Sequence, residues 1–486
     1  MEQERTGFDL TLKKLTINNF RGFGHLEVPF DKDTIVFIAE NGGGKTTILD
    51  AIAECLKVFM WQLLKRPFTN APNLSNKNIK TGTSALNANL EINFSYLFKD
   101  KVLVDIDGNV VTEEQAKELN IVVRQDEIDE KIENDYSIYL NLTDGKLTSN
   151  INGYETSKES EFDFKVNFDK KITKDYCPLL LYYGCNSVNT TADTTNDVKE
   201  DEIYHIYYGG LEPTRFSFQS FFQWFDTEFK ISHIPEKKPN KSLEIVCNAI
   251  EQMFNDDMKD KMYKDLRMNY QLKGNDMIID KKNAEGKFDK DSWIDVTQMS
   301  AGEKMIFAMV ADISKRLILA NPRKNDDVDD KNQFELDNIN PLHGRGIVLI
   351  DEIDLHLHPK WQRKVLVKLK EIFPNLQFIV TTHSPFVVQS TPRNNCIELI
   401  NGSLIYSDSS EVSSYEAIVI DYFLKEDHDF DIQTTKLLKE FRKLCFEVKN
   451  GKIKKDNAEF KDSIQKLKNK GEEVKKIIAF ELRQLL

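Results

Sequence analysis

Asn41-Gly42-Gly43-Gly44-Lys45-Thr46-Thr47 sets three glycines ahead of a lysine and two hydroxyls. Glycines let backbone N–H groups wrap a phosphate, a lysine can reach the β- and γ-phosphates of a nucleoside triphosphate, and the Thr46 hydroxyl is a hard oxygen ligand for Mg²⁺. Residues 39–46 follow the pattern GxxxxGK[ST], with Ala39 in the place of the first glycine. Downstream, Ile347-Val348-Leu349-Ile350 ends in Asp351-Glu352. A carboxylate at the end of a buried strand can hold Mg²⁺ through water, and its neighbour can polarise a water for attack on a phosphorus.

Two further stretches lean on these. In Met299-Ser300-Ala301-Gly302-Glu303, the Ser-x-x-Glu spacing ahead of an apolar run is a capping box, which needs no function. A hydroxyl and a close-approaching glycine at a helix N-terminus, Ser300 and Gly302, are also a clamp for a γ-phosphate, the lesser reading of this stretch alone but joined to the cap once the other motifs are counted. Thr381-Thr382-His383-Ser384-Pro385 follows an apolar strand, and its His383 is either structural or a sensor of the γ-phosphate.

The elements that must hold these residues are legible around them. Leu15, Ile17 and Asn19, then Leu26, Val28 and Phe30, alternate with polar residues, and Thr34–Ile38 is a short β-rich run. Apolar residues from Ile48 to Leu63 recur at helical spacing, giving a helix to about Lys65. Strand, glycine loop and helix is the order a phosphate-binding unit requires. Residues 68–240 read as a β-rich lobe with insertions, and 126–135, with six acids, as a solvated loop or helix face. The aromatic run Phe216 to Phe229 reads as a helix, with core packing favoured over base stacking. Helices are expected at 241–256, 299–318 and 360–372, a charged loop at 321–340, and a strand at Gln377–Val380. From about 413 the chain reads as amphipathic helix, broken near Asn450-Gly451 and Lys470-Gly471.

Composition narrows the class. Hydrophobic residues at 40% and charged residues at 30% describe a globular protein. No apolar run nears the roughly 18 to 20 residues of a membrane helix, and the start MEQERTGFDL lacks the apolar stretch of a signal peptide. The six cysteines form no CxxC, so neither a zinc site nor a disulfide framework is suggested, and a cytoplasmic location is expected. The net charge of −13 disfavours passive binding to DNA. It is also uneven: residues 431–486 hold 15 Lys and Arg against 9 Asp and Glu, a local +6, which leaves −19 on residues 1–430.

In this order, the P-loop, the M-S-x-G-E signature, the apolar-Asp-Glu strand and Thr-Thr-His-Ser-Pro resemble the ABC-type ATPase fold shared by SMC, RecF and Rad50 proteins. Asn19-Phe20-Arg21-Gly22-Phe23 resembles that family's strand-end motif, whose arginine lies near the nucleotide. The resemblance implies an α/β fold, a P-loop NTPase head with a mixed sheet flanked by helices and a β-rich lobe. It implies ATP and Mg²⁺ as ligands, Glu352 and His383 as catalytic residues, and Thr46 and Asp351 toward the metal. Arg21, residues Asn41 to Thr47, Ser300, Gly302 and Glu303 fall to the nucleotide, in sites shared by two heads. A homodimer or higher even-numbered oligomer follows. The expected domains are a head at 1–410, with an insertion at about 66–240, and a C-terminal helical extension at 411–486.

A narrower resemblance rests on Leu180 to Gly184, Phe222-Gln223-Trp224-Phe225, Asp351 to Gln362 and Gln377 to Pro385. These look like PtuA-type ATPases of Septu and retron-associated antiphage systems, whose partner PtuB is an HNH nuclease. That implies a regulatory ATPase with an HNH nuclease partner, in a retron setting with a reverse transcriptase and its RNA, and no nuclease of its own. The other reading is a RecF/SMC-like repair ATPase acting directly on DNA. The 252 residues between Thr47 and Ser300 lack the sustained heptads of a long coiled-coil arm. His356-x-His358 reads as a structural or dimer contact rather than a metal site. The basic tail reads equally as a docking element for a partner or nucleic acid and as a solvated hairpin.

Overall fold

The computed structural model describes residues 9–64, 74–80, 87–98, 101–104, 110–111, 124–127, 132–143, 146–153, 178–184, 188–189, 206–213, 216–234, 241–256, 261–270, 276–283, 285–289, 292–320, 340–406, 432–449 and 457–468, with single positions at 418 and between 470 and 482. Contacts divide the chain into two compact units, Met1–Ser413 and Ser414–Leu486. Among the described residues, no helix is long and apolar enough to cross a membrane.

The first unit is built on a six-stranded sheet. Its strands are β3 (Thr34–Ile38), β7 (Leu179–Tyr183), β11 (Gly346–Ile350), β12 (Leu376–Thr382), β13 (Cys396–Ile400) and β14 (Ser403–Tyr406). The order is β7-β11-β12-β3-β13-β14, parallel from β7 to β13 and antiparallel at the last pair. β7, β11 and β12 are buried along their whole length, as their continuous apolar runs require in a sheet covered on both faces. β11, β12 and β3 are parallel neighbours, so the residues following Ile350, Thr382 and Ile38 emerge at one edge. Ligand sites of open α/β sheets form at that carboxyl edge.

A second sheet is antiparallel, in the order β2-β1-β4-β5-β6, from β1 (Asp9–Phe20), β2 (Phe23–Pro29), β4 (Asn87–Phe98), β5 (Ile132–Thr143) and β6 (Lys146–Gly153). Helix α1 (Lys45–Leu64) contacts β4 and β5 of this sheet and β12 of the first. Lying between two sheets, it buries Ile48, Leu49, Ala51, Ile52, Cys55, Leu56, Phe59 and Met60 and has no broad polar face. Gln377 links the sheets directly. Its carbonyl accepts from Leu12 N–H at 3.0 Å, and its amide nitrogen donates to Leu12 O at 3.3 Å and Lys32 O at 3.2 Å. Leu12 lies where the β1–β4 register shifts, so the side chain serves backbone groups at an irregularity of the ladder.

The acidic stretch 126–135 is strand where it is described. Residues 124–127 pair with 101–104, and Glu133, Asn134 and Asp135 pair with Leu97, Tyr96 and Ser95. Acid count suggested a solvated loop or helix, but the alternating partner β4 decides the conformation. The loop expected at 321–340 lies outside the described residues except for Asn340.

Beside the first sheet stand α2 (Phe218–Ser232), α3 (Lys241–Phe254), α4 (Ala301–Ala320) and a three-stranded sheet of β8 (Tyr263–Asn269), β9 (Asp276–Lys281) and β10 (Trp293–Asp295). α4 contacts β7, α2 and α3. Phe221 and Phe225 are buried, and Phe221 meets Phe307 of α4 edge-on at 6.1 Å, so this part of the aromatic run is core. The helix expected at 360–372 is two pieces, α5 (Pro359–Gln362) and α6 (Val365–Ile372). A short helix α7 (Pro385–Gln389) follows β12.

The second unit contains α8 (Ile432–Lys449) and α9 (Ala458–Lys468). Leu438, Phe441, Cys445, Phe460, Leu467, Val474 and Ile478 form its own core, with Phe441 and Phe460 stacked at 5.8 Å.

Gln377→Met keeps the volume and removes the amide from buried Leu12. The expected cost is about 1–3 kcal/mol of unfolding free energy, read by urea denaturation; an unchanged midpoint would mean that the link between the sheets contributes nothing.

Candidate functional site

The loop between β3 and α1 is shaped by its glycines. Gly42 and Gly44 have φ of +78° and +98°, the left-handed region that side chains disfavour. A Cβ on Gly43 would lie 2.7 Å from that of Ala39, and one on Gly44 would run into the Phe23 ring. Phe23 is buried against this loop and is a shaping residue that the motif reading missed. The first turn of a helix has N–H groups without intrahelical acceptors, so Lys45, Thr46 and Thr47 present donors and the positive end of the α1 dipole. Asn41 and Thr46 are exposed, and Gly43 and Gly44 partly so.

Lys45 is 6% exposed. Its ammonium donates to Ala39 O at 2.8 Å and Glu40 O at 3.4 Å and lies 2.8 Å from His383 Nε2. An ammonium only donates, so His383 Nε2 is the acceptor and the neutral ring carries its proton on Nδ1. Burial lowers the Lys45 pKa, against the opposing pull of Glu352, Asp351 and Asp354. Burial also holds His383 below its ordinary value, helped by the adjacent Lys45 charge and opposed by the same carboxylates.

Asp351, 2% exposed, accepts from the Thr46 hydroxyl at 2.9 Å on one oxygen and from the Thr381 hydroxyl at 2.6 Å on the other. Thr381 Oγ1 in turn accepts from Glu352 N–H at 2.7 Å. Glu352 is half-buried with φ +51°, a conformation that costs a non-glycine residue about 1–3 kcal/mol and is held here by its neighbours. The Thr46 hydroxyl and the Asp351 carboxylate are hard oxygen donors meeting at one point beside a glycine cradle. That donor set fits Mg²⁺.

Most of Thr381 to Pro385 holds this turn in place. Thr382 Oγ1 donates to Asp354 Oδ1, which also accepts from His383 N–H at 3.1 Å. The Ser384 hydroxyl donates to Gln362 Oε1 at 2.7 Å and caps α7, while Gln362 Nε2 donates to Leu357 O at 2.9 Å. Asp354 and Gln362 thus join the site, although no spacing rule singled them out. Arg21, with φ +50°, donates to Asp50 Oδ2 on α1 at 2.5 Å. Asp50 also accepts from Tyr182 at 2.8 Å.

Among the described residues, Ser300 and Glu303 share no hydrogen bond with this network. Ser300 Oγ donates to Glu303 Oε2 at 2.8 Å, and Glu303 N–H donates back to Ser300 Oγ at 3.3 Å, a complete capping box. Glu303 Oε1 accepts from Tyr263 on β8 at 2.9 Å. Burial raises the Glu303 pKa, but the bonds from Ser300 and Tyr263 outweigh it and leave the carboxyl below its ordinary value. Gly302 is buried, and a Cβ there would lie 2.5 Å from His356 O. Its lack of a side chain serves helix packing, whereas exposed Ser300 faces outward. His358 caps α5, accepting from Lys360 N–H at 3.3 Å, and no group of three or more metal-ligating side chains occurs among the described residues.

A His383 held below the ordinary 6.5 favours its neutral form in the fold. Its contribution to stability is fully present above 6.5 and is lost as pH falls through the lower folded value. Without nucleotide, the melting temperature should fall between about pH 7 and about pH 5, and His383→Gln should flatten that fall. An identical pH profile in the variant would remove His383 as its source.

Residues 11–388 match the AAA ATPase domain family. The chain is 26% identical to the Retron Ec83 probable ATPase of Escherichia coli, covering 91% of this chain and 81% of that protein. It is 54% identical to the Septu protein PtuA of Bacillus thuringiensis over 54 residues, 11% of this chain and 14% of the relative. Among solved structures, the SMC head domain from Thermotoga maritima aligns over 82% of this chain and 99% of its own, at 14% identity and a TM-score of 0.39. With most of its length matched by one family, the chain belongs to the AAA ATPase domain family.

Proposed function

We propose that this chain is the nucleotide-gated ATPase subunit of an antiphage defence complex of the retron or Septu kind, and that its nucleotide state controls a partner HNH nuclease. The hydrogen-bonded cluster of Lys45, Thr46, Asp351, Glu352 and His383 at one sheet edge carries the catalytic part of this reading. The relatives' names and the motifs shared with PtuA support the defence part.

ATP is the substrate. The Gly42–Gly44 backbone and the N-terminus of α1 receive the β-phosphate, and Lys45 turns from its main-chain carbonyls to the β/γ-phosphate oxygens. Thr46 and Asp351 would hold Mg²⁺, whose charge would offset the negative charge developing on the phosphates. A water oxygen attacks the γ-phosphorus, its proton passes to Glu352, and the bond to the β–γ bridging oxygen breaks to release ADP. Neutral His383 carries Nδ1–H as a donor and a basic Nε2 that senses what Lys45 is bound to.

Ser300 and Glu303 bond to each other and Glu303 accepts from Tyr263, with no hydrogen bond from either to the P-loop cluster among the described residues. This supports a site completed by the Ser300 face of a second head, and so an ATP-dependent homodimer. The same site chemistry would serve a repair ATPase; the retron and Septu relatives are what favour the defence reading.

Glu352→Gln should lower ATP turnover by about 100-fold or more while nucleotide binding persists and ATP-bound dimers accumulate in light scattering. Ser300→Arg should abolish those dimers and leave monomer binding intact; unchanged dimers would refute the shared site. The purified chain alone should leave DNA intact, and phage protection should require both Lys45 and the nuclease. DNA cleavage by the isolated chain would overturn the regulatory role, and DNA-stimulated turnover with no co-purifying nuclease would favour repair.

A further inference from the structure

Tyr182 and Tyr183 end β7, and successive strand residues point to opposite faces of a sheet. Their hydroxyls accordingly reach different helices. Tyr182 donates to Asp50 Oδ1 of α1 at 2.8 Å, and Tyr183 donates to Asp312 Oδ2 of α4 at 2.8 Å. Asp50 is one helical turn beyond Thr46, on the same face of α1. Asp312 is on the helix that Ser300 caps. The Tyr183 carbonyl also accepts from Asp351 N–H at 2.8 Å. Two adjacent residues therefore touch the P-loop helix, the backbone of the metal-side aspartate and the signature helix.

The α4 end of this connection is closed on itself. Arg316 donates to Asp312 Oδ1 at 2.9 Å, to Ile206 O at 2.6 Å and to Tyr208 O at 3.2 Å. The turn it holds comes back to the strand, where Gly210 O accepts from Tyr182 N–H at 2.7 Å. Asp312 and Arg316 are both buried. A buried pair tolerates the loss of a partner poorly, so α4 cannot shift away from the end of β7 without leaving polar groups unsatisfied. Burial, with the Asp312 charge beside it, keeps the Tyr183 hydroxyl protonated and therefore a donor.

We propose that Tyr182 and Tyr183 are positioning residues that make α1 and α4 move together, so that nucleotide at the P-loop of one head sets the position of the Ser300 clamp the same head offers to its partner. This inference rests on the shared-site reading above. Tyr182 acts through Asp50, whose other oxygen holds Arg21, and Tyr183 acts through Asp312. Neither hydroxyl touches the reacting atoms.

The test compares the full-length protein with Tyr183→Phe and Asp312→Asn. Each should lower kcat about 10-fold with KM for ATP within about 2-fold, because the P-loop is intact and the trans clamp is misplaced. ATP should protect the first turn of α4 from hydrogen exchange in the wild type and fail to do so in Tyr183→Phe. The double variant should be no worse than either single one, the mark of a shared connection. A lower melting temperature with kcat, KM and exchange unchanged would make the network structural only and overturn the proposal. Should either variant not fold, Tyr182→Phe tests the α1 end by the same exchange measurement, and a wild-type response there overturns the proposal. Glu352→Gln separates the two levels of inference. If it turns over ATP like the wild type, the hydrolytic reading fails and the coupling falls with it; if it is inactive while Tyr183→Phe behaves as wild type, only the coupling is lost.

Discussion

A buried carboxylate must have both oxygens satisfied, and at the end of β11 that requirement organises the site. Asp351 takes one hydroxyl from α1 and one from β12, so the glycine loop, β11 and β12 are fixed relative to one another. Thr381 then uses its oxygen to hold the backbone N–H of Glu352 in a left-handed conformation that the sequence would not choose. Around this point the hydrogen bonds run outward through Asp354 to His383 and through Gln362 to Ser384. Residues that look like separate motifs along the chain are, in three dimensions, one hydrogen-bonded object.

The two catalytic-looking carboxylates differ for a structural reason. Asp351 is enclosed and doubly bonded, suited to holding a metal in a fixed place, while Glu352 is half-exposed, where a water can reach it. Glycines divide in the same way. Gly42 and Gly44 are required by backbone angle in the loop between β3 and α1, whereas Gly302, grouped by its motif with ligand-binding residues, is required by the His356 carbonyl pressed against it.

The sequence made some of this legible and hid the rest for a definable reason. The P-loop, Asp351-Glu352 and Thr381 to Pro385 are contiguous and sit at strand ends, and short patterns capture such units. Thr34–Ile38 reads as a strand and is one to the residue. Phe23, Tyr263, Gln377, Asp312 and the tyrosine pair act across 21 to 365 positions, from residues whose local sequence is ordinary. The sheet of β8, β9 and β10 carries no clear pattern in the sequence, and the strand at 133–135 reads as a solvated loop or helix face by its acids. Both owe their conformation to a partner strand, whose pairing is not written in either strand alone.

The place of β3 in its sheet has a further consequence for how the protein is made. This strand carries the glycine loop and lies within the first 40 residues, yet both its neighbours, β12 and β13, come from residues 376–400. During synthesis the N-terminal strand has no parallel partner until more than three hundred further residues have left the ribosome. Loop closure over that span makes the parallel sheet a late, non-local step, while the antiparallel lobe can pair earlier from nearer segments. The glycine loop therefore gains its supporting strands only when nearly the whole first unit exists.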